Sequence, residues 1–500
     1  MRFKNLIAEN EAIQLTGPQG IEIKGLAYRS QDVKPGWLFA AIPGAKTDGH
    51  QFVPQAIQSG AVALIVQKAP TISTNGLAVA VVQDSRKALA QAADRYFGGP
   101  SRDMVVVGIT GTNGKTTTAF LLESIFREAG RKPAVIGTVN YRLGDLVRPA
   151  PVTTPESVDL QSMLAEMKSM GADCAAIEVS SHALHQGRVW GLRFAARVFT
   201  NLSRDHLDYH RDMEDYFKAK SLLFYDPEFA DSGPAVINAD DPWGVKLLRS
   251  LGPKAVSYGI KTEGVSVRPI EWKSDEKGIT VRLATPSGEL ELKSALLGRV
   301  NLYNILAAAA ASEAVGIDHA ALKRGIESLR TVPGRLEPAP NSKGITVLVD
   351  YSHTPDALEK AMDTVREFTK GVLIVVFGCG GDRDRGKRPI MGKLAAEKAD
   401  VAVVTSDNPR SEKPMDIISE ILTGVAGTKC KRIESDRYKG ERGIYWVEAD
   451  RRKAIFGAIN VARKGDTVLI AGKGHEDYQI IGKERTHFDD REVAREALGE

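Results

Sequence analysis

Gly108-Ile109-Thr110-Gly111-Thr112-Asn113-Gly114-Lys115-Thr116-Thr117-Thr118 is the stretch of sequence that decides the fold. It follows the apolar run Met104 to Val107 and precedes apolar residues at helical spacing between Phe120 and Phe126. A strand, a glycine-rich loop and a helix in this order predict a phosphate-binding loop in a parallel α/β sheet. The glycines let backbone N–H groups approach phosphate oxygens, Lys115 can neutralise the outer phosphates, and a threonine hydroxyl can hold Mg²⁺.

The spacing of this loop differs from the common phosphate-loop pattern. Ile109 stands five residues before Gly114, and glycines stand at positions 108 and 111 instead. A glycine-rich turn before an ordinary helix is the structural alternative. We favour the phosphate loop, because the alternative requires the Gly-Lys-Thr sequence and both flanking elements to coincide by accident.

The length of 500 residues exceeds what one hydrophobic core usually organises, and we therefore expect an α/β protein of three domains. Apolar runs separated by glycine and proline turns predict a small α/β domain over residues 1–100. Apolar runs alternating with amphipathic segments predict a doubly wound parallel sheet with the phosphate loop over residues 101–334. The same alternation predicts a Rossmann-like domain over residues 335–500.

Composition and charge exclude several classes of protein. The formal net charge is only +4, from 67 basic and 63 acidic residues, and no long basic run is present, so we expect no nucleic-acid partner. The charged segment Met1 to Leu15 does not resemble a signal peptide, and no apolar stretch approaches membrane-spanning length. We expect a cytoplasmic monomer with no membrane insertion. The three cysteines, Cys174, Cys379 and Cys430, suggest neither a disulfide framework nor a metal site.

Polar clusters beyond other strand ends narrow the chemistry. Glu178 ends a probable central strand, where it could hold Mg²⁺ or be a plain surface acid. Two histidines and two aspartates crowd the segment Thr200 to His210. In the third domain, loops at 378–388, 407–410 and 472–476 mix arginine with acids, which suits a zwitterion; solvated loop charge is the alternative.

At this point the chain resembles the Mur ligase family over nearly its whole length. The resemblance rests on five motifs in family order and spacing: Thr110-Gly-Thr-Asn-Gly-Lys-Thr-Thr117, Glu178-Val-Ser-Ser-His182, Asn301 with Asn304, Asp350-Tyr-Ser-His353, and Asp407-Asn-Pro-Arg410. It implies an ATP- and Mg²⁺-dependent ligase that adds meso-2,6-diaminopimelate to UDP-N-acetylmuramoyl-L-alanyl-D-glutamate through an acyl phosphate.

The resemblance also implies how the substrates are divided among the domains. The first domain is expected to hold the UDP part, the second ATP, and the third the incoming amino acid. In the family the sequence around Ser30 is frequently Asp-Ser-Arg, but here it is Arg29-Ser30-Gln31. The expected ATP contacts are Gly111, Thr112, Asn113, Gly114, Lys115, Thr116, Thr117, Asn301, Arg335 and Asp350, and the expected precursor contacts are Ser30, Thr153, Thr154, Ser180, Gln186 and Arg188.

By the same resemblance, Lys220 matches a lysine that is carbamylated in the family, which turns a cation into an anion able to help hold a second Mg²⁺. A helix-surface lysine is the alternative. The expected metal ligands are Thr116, Glu178, His206 and carbamylated Lys220, and the expected catalytic residues are Lys115, Glu178, His206, Lys220 and His353, the last as proton acceptor from the amine.

The amino-acid pocket should decide which diamino acid enters. Lysine lacks the second carboxylate of diaminopimelate and would leave the guanidinium of Arg410 unpaired. The resemblance implies that Glu476 holds the distal ammonium. Folylpolyglutamate synthetase is a rival ligase, and a P-loop ATPase or switch and a non-catalytic nucleotide-binding module are rivals of other classes. The expected pocket consists of Arg383, Asp407, Asn408, Pro409, Arg410, Gly472 and Glu476.

Overall fold

The computed structural model describes residues 1–44 and 47–499. Contacts between Cα atoms group the chain into two compact units. The three domain boundaries given above stay a prediction. Among the described residues, no helix combines the length and the apolar character needed to cross a bilayer. The first unit comprises Met1–Thr110, Gly130–Val198 and Lys218–Ala235, and the second comprises Gly111–Ala129, Phe199–Phe217 and Val236–Glu500.

The N-terminal part of the first unit is a five-stranded sheet in the order β1-β5-β4-β3-β2. Its neighbours pair in parallel except β1 and β5. Alternate strand residues enter two different apolar clusters, as Leu38 and Phe39 do on β3, so both faces of the sheet are covered. The elements are β1 (Ala12–Thr16), β2 (Leu26–Ala27), β3 (Trp37–Ala40), α1 (Val53–Gln58), β4 (Ala61–Val66), β5 (Ala78–Val82) and α2 (Ser85–Tyr96).

The second sheet of the chain contains β6, and six of its neighbouring strands belong mainly to the first unit. Their order is β11-β6-β10-β7-β8-β9. β10 pairs in parallel with β6 and β7, which confirms the predicted parallel core, and β7, β8 and β9 pair antiparallel. The elements are β6 (Val105–Thr110), α3 (Lys115–Glu128), β7 (Pro133–Ile136), β8 (Asn140–Leu143), β9 (Leu146–Pro149), α4 (Ser157–Ser169), β10 (Cys174–Glu178), α5 (Ser181–His185) and β11 (Ala196–Phe199).

The following stretch adds a parallel pair, β12 with β13, and a three-stranded antiparallel sheet in the order β14-β15-β16. The parallel pattern read from the sequence did not predict this antiparallel sheet. Its strands alternate buried and solvent-facing residues, as an antiparallel sheet covered on one face does. The elements are α6 (Met213–Tyr225), β12 (Ala235–Asn238), α7 (Pro242–Leu251), β13 (Val256–Tyr258), β14 (Arg268–Asp275), β15 (Gly278–Thr285), β16 (Gly288–Ser294), α8 (Gly298–Ala314) and α9 (His319–Ser328).

The C-terminal part is a doubly wound sheet of seven strands in the order β17-β18-β23-β19-β20-β22-β21. Alternate residues such as Val375 and Val376 enter opposite apolar clusters, one packed on α10 to α12 and the other on α13 and α14. The elements are β17 (Glu337–Pro338), β18 (Thr346–Asp350), α10 (Pro355–Arg366), β19 (Leu373–Phe377), α11 (Lys387–Lys398), β20 (Val401–Val404), α12 (Pro414–Val425), β21 (Lys431–Arg432), β22 (Ile444–Val447), α13 (Arg451–Val461), β23 (Thr467–Ala471), β24 (Tyr478–Ile481), β25 (Glu484–His487) and α14 (Asp490–Leu498).

Candidate active site

The glycine-rich loop runs from the end of β6 to the first turn of α3, as the sequence predicted. Gly114 immediately precedes the helix at φ 89°, a left-handed conformation that favours glycine. A Cβ atom at Gly114 would lie 2.4 Å from Oδ1 of Asn304. At Gly111, where φ is 145°, it would lie 1.9 Å from Oγ1 of Thr200. Both glycines are therefore required for the backbone to pass so close to its neighbours.

The lysine of the loop folds along its own backbone. Lys115 donates from Nζ to the carbonyl oxygens of Gly111 at 2.8 Å and Thr112 at 2.9 Å. The backbone N–H of Asn113 donates to Oδ1 of Asn201 at 3.0 Å. These contacts hold the loop in a compact shape at the N-terminus of α3, where the helix dipole favours an anion.

A cleft of about 350 Å³ opens beside this loop within the second unit. Asn113 and Gly114 line one side, and Tyr303 and Asn304 of α8 line another. Its remaining lining mixes aromatic and charged groups, which suits a ligand with a flat ring and charged substituents. Residues of the cleft that the sequence did not point to include Asp240, Tyr258, Lys261, Arg299 and Tyr303.

The two asparagines of α8 play different structural parts. Asn304 lines the cleft, whereas Asn301 is buried and is not among the lining residues. Asn301 donates from Nδ2 to the carbonyl of Leu297 at 2.9 Å and accepts from Nδ2 of Asn304 at 3.0 Å. Asn301 thus orients the residue that faces the cleft, and a direct contact of Asn301 with adenine stays a prediction.

Arg335 and Asp350 lie with the phosphate loop in the second unit. Arg335 donates from Nη2 to Oγ1 of Thr116 at 3.1 Å. The carboxylate of Asp350 accepts from the backbone of Leu336 at 2.7 Å and from the hydroxyl of Ser352. Burial raises the pKa of Asp350 above its ordinary value, although Ser352 and Arg335 oppose this shift. The structure therefore brings Arg335 directly to the loop.

Asp205 and His206, which follow β11, lie near two other titratable residues of the second unit, His353 and Lys387. Nε2 of His206 lies 3.4 Å from Oδ2 of Asp205. Burial would raise the pKa of Asp205, but the neighbouring His206, His353 and Lys387 hold it below its ordinary value. Burial, followed by the charge of Lys387, lowers the pKa of His353. His353 is therefore a neutral imidazole at neutral pH.

The tautomer of His353 follows from its hydrogen bond. Nδ1 lies 2.9 Å from the carbonyl oxygen of Tyr351, and because a carbonyl can only accept, Nδ1 carries the proton. Nε2 is then the atom with the lone pair. This is the protonation state that a proton acceptor requires.

Glu178 is buried in the first unit at the end of β10, with only 1% of its surface exposed. Its Oε1 accepts from the backbone N–H of Thr138 and its Oε2 from the hydroxyl of Thr138, both at 2.9 Å. The alternative of a surface acid is therefore wrong. Burial of a carboxylate at the carboxyl end of a central strand is typical of a functional position in open α/β sheets.

Most of the expected precursor contacts come together in the first unit. Oγ1 of Thr154 donates to the carbonyl of Glu178 at 2.7 Å and accepts from the backbone of Ser180 at 3.1 Å. Arg188 donates to Oε1 of Gln186 at 2.7 Å and to the carbonyl of Thr154 at 2.9 Å. Thr153 joins through Thr138, since their hydroxyls lie 3.1 Å apart.

Ser30 lies apart from that cluster. Its hydroxyl donates to Oε1 of Gln55 at 2.8 Å, and the residue is only 8% exposed. Among residues 1–44 and 47–499, no hydrogen bond joins Ser30 to Thr154, Ser180 or Arg188. The structure thus assigns Ser30 a local contact with α1, and its uridine contact stays a prediction.

The expected metal ligands are divided between the units. Glu178 and Lys220 belong to the first, and Thr116 and His206 to the second. Lys220 is 1% exposed, so the alternative of a surface lysine is wrong. Within the described parts of the chain, no three His, Cys, Asp or Glu side chains are grouped closely enough to hold an ion by themselves. The predicted set differs from such a group, because it includes a hydroxyl and a carbamate.

The third group of expected contacts surrounds Asn408 in the second unit. Nδ2 of Asn408 donates to Oε2 of Glu476 at 2.7 Å, and the backbone N–H of Ile480 donates to Oδ1 of Asn408 at 3.0 Å. Burial and the charge of Asp407 raise the pKa of Glu476, and Lys473 opposes them. Burial would also raise the pKa of Asp407, but Lys473 and Arg451 hold it below its ordinary value.

Arg410 lies two residues after Asn408 in the same loop, in a left-handed conformation at φ 53°. Its Nη1 donates to the carbonyl of Gly381 at 2.7 Å, and Gly381 donates its N–H to the carbonyl of Asn408 at 2.9 Å. Arg383, on the same loop as Gly381, donates to the carbonyl of Asp382 at 3.1 Å. The loop at 378–388 therefore runs beside Asp407-Asn-Pro-Arg410, as the sequence predicted for strand ends of one sheet.

Two further buried residues, Arg451 and Asp490, support this pocket, and no motif in the sequence indicated a role for them. Arg451 is fully buried and donates to the carbonyls of Ser406 at 3.1 Å and Ala471 at 3.0 Å, which precede Asp407 and Gly472 in the chain. Its charge is matched by Asp490 at 2.7 Å. Arg451 therefore ties two strand ends of the pocket together, although 39 residues of sequence separate it from its partner.

Three family models match the chain. Residues 22–97 match the Mur ligase family catalytic domain, residues 109–312 the Mur ligase middle domain, and residues 334–474 the Mur ligase glutamate ligase domain. A protein of Geobacter metallireducens named UDP-N-acetylmuramoyl-L-alanyl-D-glutamate--2,6-diaminopimelate ligase is 48% identical over 507 aligned positions, covering 100% of this chain and 99% of that protein.

Solved structures agree with these matches. A structure titled UDP-N-acetylmuramoyl-L-alanyl-D-glutamate--2,6-diaminopimelate ligase has a TM-score of 0.71 and 32% identity, covering 100% of this chain and 99% of the other. The crystal structure of MurF ligase from Thermotoga maritima in complex with ADP has a TM-score of 0.60 and 19% identity, with 95% and 96% of the chains covered. At that identity the likeness to MurF shows the fold alone.

Proposed function

The chain belongs to the Mur ligase family, and from this premise we propose that it joins meso-2,6-diaminopimelate to UDP-N-acetylmuramoyl-L-alanyl-D-glutamate, with ATP converted to ADP and phosphate. The observation that carries the choice of amino acid is the pocket around Asn408. Asn408 donates to the carboxylate of Glu476, and the same loop carries the guanidinium of Arg410. A cation and an anion in one pocket suit the amino and carboxyl groups of a diamino dicarboxylic acid.

The first step activates the acceptor. A carboxylate resists attack by an amine, because its carbon is electron-rich and oxide is a poor leaving group. In the proposed reaction an oxygen of the D-glutamate side-chain carboxylate takes the γ-phosphoryl group of ATP, which gives an acyl phosphate and ADP. Lys115 would neutralise phosphate charge as these anions meet, and the N–H groups of residues 111–117 would orient the phosphates.

Magnesium fits the donors proposed for it. Glu178 is a buried carboxylate, Thr116 offers a hydroxyl, His206 an imidazole, and Lys220, if carbamylated, two further oxygens. Three of these four side chains offer oxygen, the ligand atom that Mg²⁺ prefers. When bound, the ion would supply positive charge to the phosphate oxygens. Arg335 and Asp350 would complete the surroundings of ATP, with Asn301 holding Asn304 towards the cleft.

The second step forms the amide bond. The amine of the incoming amino acid attacks the acyl carbon, the carbon–nitrogen bond forms, and the carbon–oxygen bond to phosphate breaks. We propose that Nε2 of His353 accepts the proton released by the amine, in keeping with the neutral tautomer that its contact with Tyr351 favours. Thr153, Thr154, Ser180, Gln186 and Arg188 would hold the muramoyl dipeptide, and Ser30 the uridine.

One assay tests this proposal against its rivals. The protein is incubated with ATP, the nucleotide-linked dipeptide, and either diaminopimelate or lysine. The mass of the product is then measured by mass spectrometry. We expect a product only with diaminopimelate, and ADP release only when both acceptor and amino acid are present. ADP release without them would favour an ATPase or switch, and glutamate addition to a folate would favour the folylpolyglutamate synthetase alternative. We also propose that the protein acts as a cytoplasmic monomer, which sedimentation and fractionation would test.

A further inference from the structure

The ammonium group of Lys473 is fully buried beside the proposed amino-acid pocket. It donates to Oε2 of Glu476 at 3.0 Å, to Oδ1 of Asn408 at 3.3 Å and to the carbonyl of Tyr478. Burying an ammonium costs several kcal/mol unless its donors are satisfied, and here three oxygens satisfy them. Lys473 therefore belongs to the same network as the two residues expected to hold the amino acid.

The bonds to Glu476 are unevenly placed on its carboxylate. Both Lys473 and Asn408 donate to Oε2. Among the described residues, no hydrogen bond reaches Oε1 of Glu476, and the side chain keeps 14% of its surface exposed. A carboxylate held through one oxygen has a fixed orientation, and its other oxygen remains available to a donor from outside the network.

We propose that Lys473 is a positioning residue for substrate choice, which holds Glu476 as an oriented anion whose Oε1 receives the distal ammonium of the incoming diamino acid. This inference rests on the proposed function and deepens it, because it assigns the geometry of one end of the substrate to a residue that does not touch the substrate. It also explains why a buried lysine stands next to a carboxylate that must itself attract a cation.

Charge decides the direction of the effect. Burial raises the pKa of Glu476 first, Asp407 raises it further, and Lys473 lowers it. Arg451, Tyr351 and Tyr478 also interact electrostatically with this carboxylate. Two buried carboxylates in one site cannot both stay ionised without compensating cations. When Lys473 is lost, the charge of Arg451 still lowers the pKa of Asp407. We therefore expect Glu476, and not Asp407, to take up a proton.

The sign of the pH dependence follows. A protonated Glu476 attracts an ammonium weakly, so binding of the diamino acid weakens as pH falls through the raised pKa of Glu476. Loss of Lys473 raises the pKa of Glu476 further, because the positive charge that lowers it is removed. The acid limb of the pH profile, where binding weakens as pH falls, should therefore move to higher pH when Lys473 is replaced. Replacing a lysine with only a packing role would not cause this shift.

The test is steady-state kinetics of Lys473→Met with diaminopimelate between about pH 6 and pH 9. Loss of one charge-assisted contact predicts a KM for diaminopimelate raised about 10-fold to 150-fold at neutral pH. We expect the acid limb to shift upwards and the KM for ATP to stay within about twofold. Lys473→Arg should restore the wild-type limb, and Lys483→Met, an exposed lysine in the turn between β24 and β25, is the matched control.

A double-mutant cycle separates this role from general damage. In a Glu476→Gln background, Lys473→Met should add little, because the carboxylate that it serves is gone. Additive losses in the cycle, or an unmoved acid limb in a folded Lys473→Met protein, would overturn the inference. If Lys473→Met does not fold, Lys473→Gln, which keeps a hydrogen-bond donor but carries no charge, replaces it in the pH series and in the cycle. Failure of the wild-type protein to use diaminopimelate would instead reject the proposed function.

Discussion

Arg335 donates a hydrogen bond from Nη2 to Oγ1 of Thr116 across 3.1 Å, although 219 positions separate the two residues in the chain. The guanidinium of Arg335 also lies 4.6 Å above the ring of Tyr351, which limits its freedom. A cation from outside the phosphate loop thus reaches the hydroxyl that is expected to help hold magnesium. Nucleotide binding should therefore depend on Arg335 as well as on Lys115.

We expect Arg335→Ala to lower kcat/KM for ATP by roughly 10-fold to 150-fold, since one charge-assisted donor is worth about 1.5 to 3 kcal/mol. Initial rates at varied ATP would measure this loss. Arg330→Ala removes a solvent-exposed arginine a few residues earlier and should leave the rate unchanged. Equal losses in the two variants would argue against a specific role for Arg335.

Gly114 and Gly130 allow a comparison of backbone strain with steric collision. Both have positive φ, at 89° and 75°, so alanine costs each of them on the order of 1 kcal/mol. Only at Gly114 does the new Cβ meet a neighbour, Oδ1 of Asn304 at 2.4 Å. We expect Gly114→Ala to lose ATP binding in calorimetry and Gly130→Ala to keep it. Comparable ATP affinities would show that the loop tolerates the collision.

Arg410→Ala should weaken the use of diaminopimelate far more than the binding of ATP. An unpaired substrate carboxylate costs roughly 1.5 to 3 kcal/mol, which corresponds to a KM raised about 10-fold to 150-fold. Kinetics with each substrate varied in turn would measure the difference. Arg432→Ala, on the exposed edge strand β21, is the control and should change neither KM. Equal losses for ATP and diaminopimelate would count against the assignment.

The buried pair of Arg451 and Asp490 predicts a stability effect that its exposed neighbour should not share. Asp490→Asn leaves a buried guanidinium without its counter-charge, which costs about 3 to 5 kcal/mol. Glu496→Gln breaks the exposed pair with Arg452 and should cost less than about 1 kcal/mol. Denaturant unfolding measures both. Replacing the buried pair by Arg451→Met with Asp490→Leu should recover much of the loss.

Local patterns explain what the sequence predicted correctly. The strands β10, β19 and β23 are largely apolar runs because both faces of their sheets are covered, so their bounds could be read almost directly. β6 instead continues through Gly108 to Thr110, three residues beyond the apolar run that the sequence indicated. The phosphate loop is equally local. Its glycines, its lysine and the start of α3 are consecutive in the chain.

What the sequence could not predict depends on contacts between distant residues. The pairing of Arg451 with Asp490 spans 39 positions and leaves no periodic signal. Lys473 stands in a loop that was singled out, but only its burial against Asn408 and Glu476 reveals what it does. The antiparallel sheet β14-β15-β16 was missed because its alternating polar residues weaken the apolar signal.

At position 410, stability and substrate recognition favour different residues, because the backbone of Arg410 is left-handed. Glycine there would relieve the conformation and stabilise the protein by up to about 1 kcal/mol, but it would remove the guanidinium. A screen for heat resistance alone should consequently enrich glycine at this site. The selected enzymes would be more stable, but they would distinguish diaminopimelate less well from other diamino acids. Only a growth condition that penalises incorporation of the wrong diamino acid would keep arginine in the population.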